Sequence, residues 1–321
     1  MDNNVYGIDI AKKSFEVVSL NDRGESRVKS YSNTASGHLT FIDTLPPGSL
    51  CVMEASGSYY LSLAFSLHQH GIKLSVVNPL VIRRYSQMQL RRTKTDQQDA
   101  RLIAHYGRDH RSLLKLWQPP AAVFLRLQQL LTSINLFQKQ LQMLRNQLEA
   151  MNQVPIVDPL VRSEQMYLIE QLQTSIKRLE QQMLSLSKEH CSQSFQSLMS
   201  IPGIGPKTAC LLIWITHDFR RFESAKQLVA YLGLCPRIFK SGSSVKGKES
   251  IVKMGQALAR KYLYMGAFSA MKVNPLCQSM VESMKQKGKH HKVIRVAVAH
   301  KLLRQAFAVA KNQTLFNPDF I

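Results

Sequence analysis

The chain has 321 residues, enough for two or three domains with a sizeable core. Its 42 Lys and Arg against 21 Asp and Glu leave a net charge of +21, which points to nucleic acid, a solvated basic surface being the plainer alternative. Five cysteines without a C-x-x-C and ten histidines without ligand spacing set aside a disulfide framework and a zinc site, leaving reduced core thiols. The Met-Asp-Asn-Asn start is no signal peptide, and Val293–Ala310 is interrupted by Arg295, His300, Lys301 and Arg304. The expectation is a soluble, cytoplasmic protein with no membrane contact.

Residues 1–115 read as an α/β domain. Val5–Ile10, Ser14–Leu20 and Arg27–Tyr31 are expected strands, the last two joined by turn chemistry at Asn21–Gly24. Gly37–Leu45 reads as a helix stopped by Pro46-Pro47-Gly48. Leu50–Glu54 is a strand, Tyr59–His70 a helix, Lys73–Val77 a strand, and 80–90 and 96–107 are helices. A three-strand meander followed by helix, strand, helix, strand, helix is the order of the ribonuclease-H-like fold. That fold places the first strand centrally, with the fourth beside it.

Residues 116–190 form a helical coiled-coil segment. Leu127, Leu130, Ile134, Phe137, Leu141, Leu144 and Leu148 alternate in steps of three and four. After a break at Asn152–Pro159 a second amphipathic run follows. This is an antiparallel hairpin closing on itself or a dimerisation element, with self-association preferred. Residues 191–321 are expected to be a mostly α domain. Its elements are helices flanking Ile201–Thr208, a helix at Phe222–Leu234, a loop with a possible short hairpin at Cys235–Ser250, a helix at Ile251–Lys272, a connection, and a last helix near 292–311. Between Arg237 and Lys311 sixteen Lys and Arg face only Glu249 and Glu282.

Four carboxylates fall where a two-metal nuclease needs them. Asp9 and Glu54 end apolar strands, and Asp96 and Asp99 lie three apart at the start of a helix, on one face. Gathered oxygens repel one another unless Mg²⁺ or Mn²⁺ lies between them, and two such ions sit roughly 3.5–4 Å apart over a phosphodiester. Each acid also has a plain explanation: a turn Asp, a surface Glu, or a capping box at Thr95-Asp96-Gln97-Gln98. Lys12, Arg91, Arg92 and Lys94 supply cations for phosphate near that site.

Ile201-Pro202-Gly203-Ile204-Gly205-Pro206-Lys207-Thr208 resembles the helix-hairpin-helix motif of sequence-independent DNA-binding proteins. There Gly203 and Gly205 would let backbone amides approach a phosphate at a helix N-terminus, with Lys207 and Thr208 adding contacts. A tight helix–helix turn that never touches DNA is the alternative. Lys240-Ser241-Gly242-Ser243-Ser244-Val245-Lys246-Gly247-Lys248 suits a loop pressed on a sugar–phosphate backbone. On chemistry alone a flexible Gly/Ser loop is the commoner explanation for it.

Together these residues resemble the DEDD transposases of bacterial insertion sequences and the related Piv-type DNA invertases, whose N-terminal domain is similar to the RuvC junction resolvase. The resemblance runs over nearly the whole chain. It rests on Gly7–Lys12, Glu54–Tyr59, Asn78-Pro79, Lys94–Ala100, Ile201–Gly205, and Pro236 with Ser241-Gly242 followed by Lys253-Met254-Gly255. It implies that Asp9, Glu54, Asp96 and Asp99 hold divalent metal. It further implies that Ser241 is a nucleophile joined covalently to DNA, in a composite centre shared between subunits of a dimer or tetramer. A structured non-coding guide RNA is implied for several members. The expected activity is site-specific recombination. The alternatives are a metal-dependent structure-specific endonuclease and a non-catalytic nucleic-acid-binding protein.

Overall fold

The computed structural model describes residues 4–20, 26–55, 57–89, 95–237, 240–241, 245–246, 250–252 and 254–320. The chain divides into two compact units, Met1–Pro119 and Pro120–Ile321.

The first unit is built on a mixed sheet of β1 (Val5–Ile10), β2 (Ser14–Leu20), β3 (Ser26–Ser32), β4 (Leu50–Glu54) and β5 (Lys73–Val77). The spatial order is β3-β2-β1-β4-β5. β1 pairs antiparallel with β2 and parallel with β4, so the first strand is central, as the element order predicts. The sheet is covered on both faces, which is why β1 and β4 read as nearly continuous apolar runs. Tyr6, Ile8 and Ile10 pack with α1 (Ala35–Ile42) and α2 (Tyr60–Gln69). The alternate residues face α3 (Pro79–Met88) and α4 (Asp96–Asp109), where Val5 and Val52 meet Ile82, Tyr85, Leu102 and Ile103. The Asn78-Pro79 pair is a helix start: the Asn78 side chain accepts from the Leu80 amide at 2.9 Å, and Pro79 opens the first turn. The turn expected at Asn21–Gly24 lies outside the described residues.

Gly7 sets the depth of α4. A Cβ there would lie 2.2 Å from both the Ala100 carbonyl oxygen and the Ala104 nitrogen. Only a residue without a side chain lets the helix backbone rest on the centre of β1.

In the second unit α5 (Ala122–Met151) and α6 (Pro159–His190) form a hairpin of two long helices. Gln138 Nε2 donates to Glu180 Oε1 at 3.4 Å, and Leu131 and Ile134 share a core with Met183 and Leu186, so the pair is antiparallel. The buried residues cluster at the base of the hairpin, in one core with the helices that follow. α6 ends at His190, where the sequence places a border, and the core continues across it. The following helices are α7 (Ser192–Met199), α8 (Pro206–Thr216), α9 (Ala225–Leu232), α10 (Ala257–Val273), α11 (Pro275–Gln286) and α12 (His291–Asn312). Between α9 and α10 lie two short antiparallel pairs, β6 (Pro236–Arg237) with β9 (Ser250–Ile251) and β7 (Lys240–Ser241) with β8 (Val245–Lys246).

Two sequence expectations are corrected here. The helix expected from Ile251 begins at Ala257, since Ile251 belongs to β9. The connection before the last helix contains α11: Pro275 sits in its first turn behind Asn274, whose side chain accepts from the Cys277 amide at 3.3 Å. All five cysteines are free thiols, four of them buried. No described helix is long and apolar enough to cross a membrane.

Candidate active site

Three elements bring the carboxylates together. Asp9 lies near the end of β1 on the same face as Val5 and Gly7, the face that α4 covers. Glu54 ends β4 on the same face as Leu50 and Val52. On α4 the Thr95 side chain accepts from the Gln98 amide at 3.3 Å, which starts the helix at Asp96 and puts both Asp96 and Asp99 in its first turn. Carboxylates there are favoured by the positive end of the helix dipole. Ala100 rests on Gly7, so this turn lies over the Asp9 end of β1.

The electrostatics report the convergence. Asp9 is half-buried, and its proton affinity is pushed up from 3.8 to about 6. The largest cause is burial, followed by the charges of Asp99, Asp96 and Glu54. The four acids thus share one field without forming a ready-made cage: among the described residues no three His, Cys, Asp or Glu side chains are close enough to hold one ion together. Asp96 is exposed, and the other three are half-buried. The donor set is all carboxylate oxygen, the chemistry that suits a hard divalent ion such as Mg²⁺ or Mn²⁺, and a cation would reverse the strain on Asp9. The donor chemistry fits such an ion, while the side chains as placed do not enclose one.

The pairing register adds a residue that motif reading passes over. Glu16 is the direct antiparallel partner of Asp9, so both side chains stand on one face of the sheet. Its Oε2 is enclosed and makes no hydrogen bond. The signal was available: two strands joined across Ala11–Lys13 pair position 9 with position 16.

The raised affinity of Asp9 has a consequence for stability. A carboxyl group whose folded pKa lies above its unfolded value leaves the fold unpenalised at low pH and weakens it as pH climbs through the interval, here from about 4 to about 6. After allowance for partial exposure this is on the order of 1–2 kcal/mol. We therefore expect Asp9→Asn to melt at the same temperature as wild type near pH 4 and above it near pH 7, both metal-free. Mg²⁺ should stabilise only the wild type. Melting curves that keep a constant separation at the two pH values would contradict the shared field.

The other expected contacts are placed as follows. Lys12 is exposed in the β1–β2 turn, while Arg91, Arg92, Lys94 and Lys248 lie outside the described residues. Lys240 and Lys246 are register partners in the β7–β8 pair, and Ser241 pairs with Val245. The Ile201–Thr208 hairpin is packed on one side. Gly203, at φ +106°, lies so close to α10 that a Cβ would sit 2.6 Å from the Ala270 Cβ. Asn274 Nδ2 donates to the Pro202 carbonyl at 3.2 Å. Thr208 is buried, and the Lys207 ammonium is ion-paired with Glu180 of α6. Gly205 faces open space at the start of α8. On its Gly203 side the motif packs helices together, the alternative that the sequence left open.

The strand order and directions put the first unit among ribonuclease-H-like folds, and the enzyme it belongs to is of the transposase class. The model of a DEDD transposase of the IS110 type matches residues 6–153, and that of the IS116/IS110/IS902 transposase family matches residues 195–282. The pilin gene-inverting proteins of Moraxella lacunata and Moraxella bovis are each 32% identical to this chain over 99% of its length and 98% of theirs. The transposase for insertion sequence element IS1111A of Coxiella burnetii is 24% identical over 83% of this chain and 77% of its own. The chain belongs to the IS110-type DEDD transposase family. The solved structure described as T. thermophilus RuvC in complex with Holliday junction substrate aligns over 36% of this chain and 99% of that one at 10% identity and a TM-score of 0.29, a likeness that decides nothing further.

Proposed function

We propose that the protein is a site-specific DNA recombinase that cuts and rejoins strands by transesterification. The observation that carries this reading is the field shared by Asp9, Asp99, Asp96 and Glu54 where the interior strands β1 and β4 of a ribonuclease-H-like sheet end. A divalent ion held by these acids would supply Lewis-acid polarisation of a phosphodiester. Through that ion the four carboxylates would orient the phosphate. Ser241 is the nucleophile. Its oxygen attacks phosphorus, its proton passes to a base, one bridging P–O bond breaks, and the departing DNA oxygen takes up a proton. In the second step a DNA hydroxyl displaces the serine, so the phosphodiester is remade without an external energy source.

Lys12, Arg91, Arg92, Lys94, Lys240, Lys246 and Lys248 are read as backbone contacts, together with the amides at Gly205, in keeping with the net charge of +21. A structured non-coding RNA that pairs with the DNA is part of the same reading. So is a homo-oligomer: the far end of the α5–α6 hairpin leaves Ile156, Leu160 and Tyr167 at 87%, 68% and 57% exposure, an apolar surface that a second copy would cover. A monomeric mass in solution would remove that part.

The test is to trap the covalent link. Full-length protein is incubated with duplex DNA carrying the element's ends, with Mg²⁺ or chelator, with and without RNA transcribed from the flanking non-coding DNA, and then denatured. A denaturation-resistant protein–DNA adduct that needs Mg²⁺ is the expected result. Metal-dependent cleavage without an adduct would mean a structure-specific endonuclease using water, and binding alone would mean a non-catalytic protein.

A further inference from the structure

We infer that the exposed face shared by α10 and α12 is a binding surface for an unpaired DNA strand, outside the acidic site and the Ser241 segment. Lys261, Met265, Phe268 and Lys272 recur at intervals of four, three and four, so they form one stripe along α10, and all four are exposed. Met265 and Phe268 are 59% and 39% exposed at its centre, with a lysine at either end. The two lysines are eleven residues apart, about 16 Å along the helix, the scale of a few nucleotides.

α12 completes the surface. The Arg295 guanidinium lies over the Phe268 ring, 4.1 Å from its centroid, and donates to the Tyr264 hydroxyl at 3.2 Å. An arginine held over an aromatic ring at this distance is a preformed cationic platform. Lys292 and Val293, one turn earlier on α12, are exposed as well. Beside the stripe is a hollow of about 240 Å³, lined by Leu234, Tyr264, Met265, Val296 and the stems of Arg260 and Lys261. An apolar recess next to aromatic rings, rimmed by cations, is what a base out of its stack needs on one side and its phosphates on the other. A duplex keeps its bases stacked inside and has no use for the recess.

The polymer is DNA because DNA is the substrate of the recombinase proposed above. Arg260 donates to the Leu232 carbonyl at 2.8 Å and to that of Met254 at 3.4 Å, and the Tyr264 hydroxyl accepts from Arg295. These bonds fix the rim of the hollow. The inference rests on the recombinase reading for the identity of the polymer alone. The binding geometry stands on α10 and α12.

The test is fluorescence anisotropy of full-length protein with a labelled single-stranded DNA of about twenty nucleotides, its duplex, and RNA of the same sequence, all in chelator. Phe268→Ala should weaken single-strand binding about tenfold and leave duplex binding unchanged, while Phe268→Trp keeps wild-type affinity. Lys261→Gln with Lys272→Gln should lower the slope of log affinity against log salt by about 1.4, two phosphate contacts on a single strand. Equal losses on single strand and duplex, no loss in Phe268→Ala, or RNA bound as tightly as DNA would each overturn the inference. Because no metal and no cutting are involved, such a failure leaves the recombinase reading intact. Absence of the seryl adduct likewise leaves this surface standing.

Discussion

Ser241→Ala is expected to abolish the protein–DNA adduct and to lower recombination at least about a thousandfold, since a reaction that runs through the seryl oxygen loses its nucleophile. The same substitution should leave the melting temperature within about a degree of wild type, because it removes one hydroxyl from a short two-residue strand. Asp9→Asn should reach a similar loss by a different route. It deletes a negative charge from the group that Asp99, Asp96 and Glu54 surround, and so weakens attraction for a divalent ion while making the metal-free fold more stable. The contrast separates the two roles. Mg²⁺ raises the melting temperature of Ser241→Ala and not of Asp9→Asn. The measurement is a plasmid excision assay in cells beside thermal melts of the purified variants. Recombination above a hundredth of wild type in Ser241→Ala would remove that serine from the reaction.

Gly7→Val tests the architecture that gathers the acids. The new Cβ has no room: it meets the Ala100 oxygen and the Ala104 nitrogen of α4, both backbone atoms of a helix that cannot fold aside as a side chain would. The helix must lift away from β1, carrying Asp96 and Asp99 off Asp9. We expect a loss of stability of about 1–3 kcal/mol, read as a fall in melting temperature. We also expect Mn²⁺ affinity, followed by paramagnetic resonance of the free ion, to fall at least tenfold even in protein that remains folded. Gly205→Ala serves as the control, because nothing lies within 4 Å of the added methyl group and the backbone there is extended, at φ −91°. A Gly7→Val protein with wild-type Mn²⁺ affinity would show that α4 does not position the site.

The acidic group divides into parts that local chemistry announces and parts that it does not. Thr95 with Gln98 three residues on marks a helix start in any context, so the placing of Asp96 and Asp99 in a first turn is written in four adjacent residues. Glu16 carries no such mark. It is one acid in an alternating strand until the hairpin register sets it opposite Asp9. Lys207 shows a partner that the motif leaves out. Glycine spacing and a lysine at a helix start suggest a phosphate contact, yet its ammonium is ion-paired with Glu180, twenty-seven positions earlier on α6. α11 escaped notice because Pro275 reads as an interruption when the cap that makes it a beginning, Asn274, is not weighed with it.

The order of elements along the chain, the two long helices and the carboxylates at element ends follow from short-range rules: alternation by two, recurrence near 3.6, and caps within four residues. These rules act between neighbours and survive without knowledge of the fold. Which amides and cations remain available to a ligand is settled otherwise. Gly203 against Ala270, Asn274 on Pro202 and Arg295 over Phe268 join positions 27 to 72 residues apart, and each exists only because whole helices dock. Packing decides between a buried partner and a free contact, and packing is a property of surfaces that no stretch of chain contains by itself.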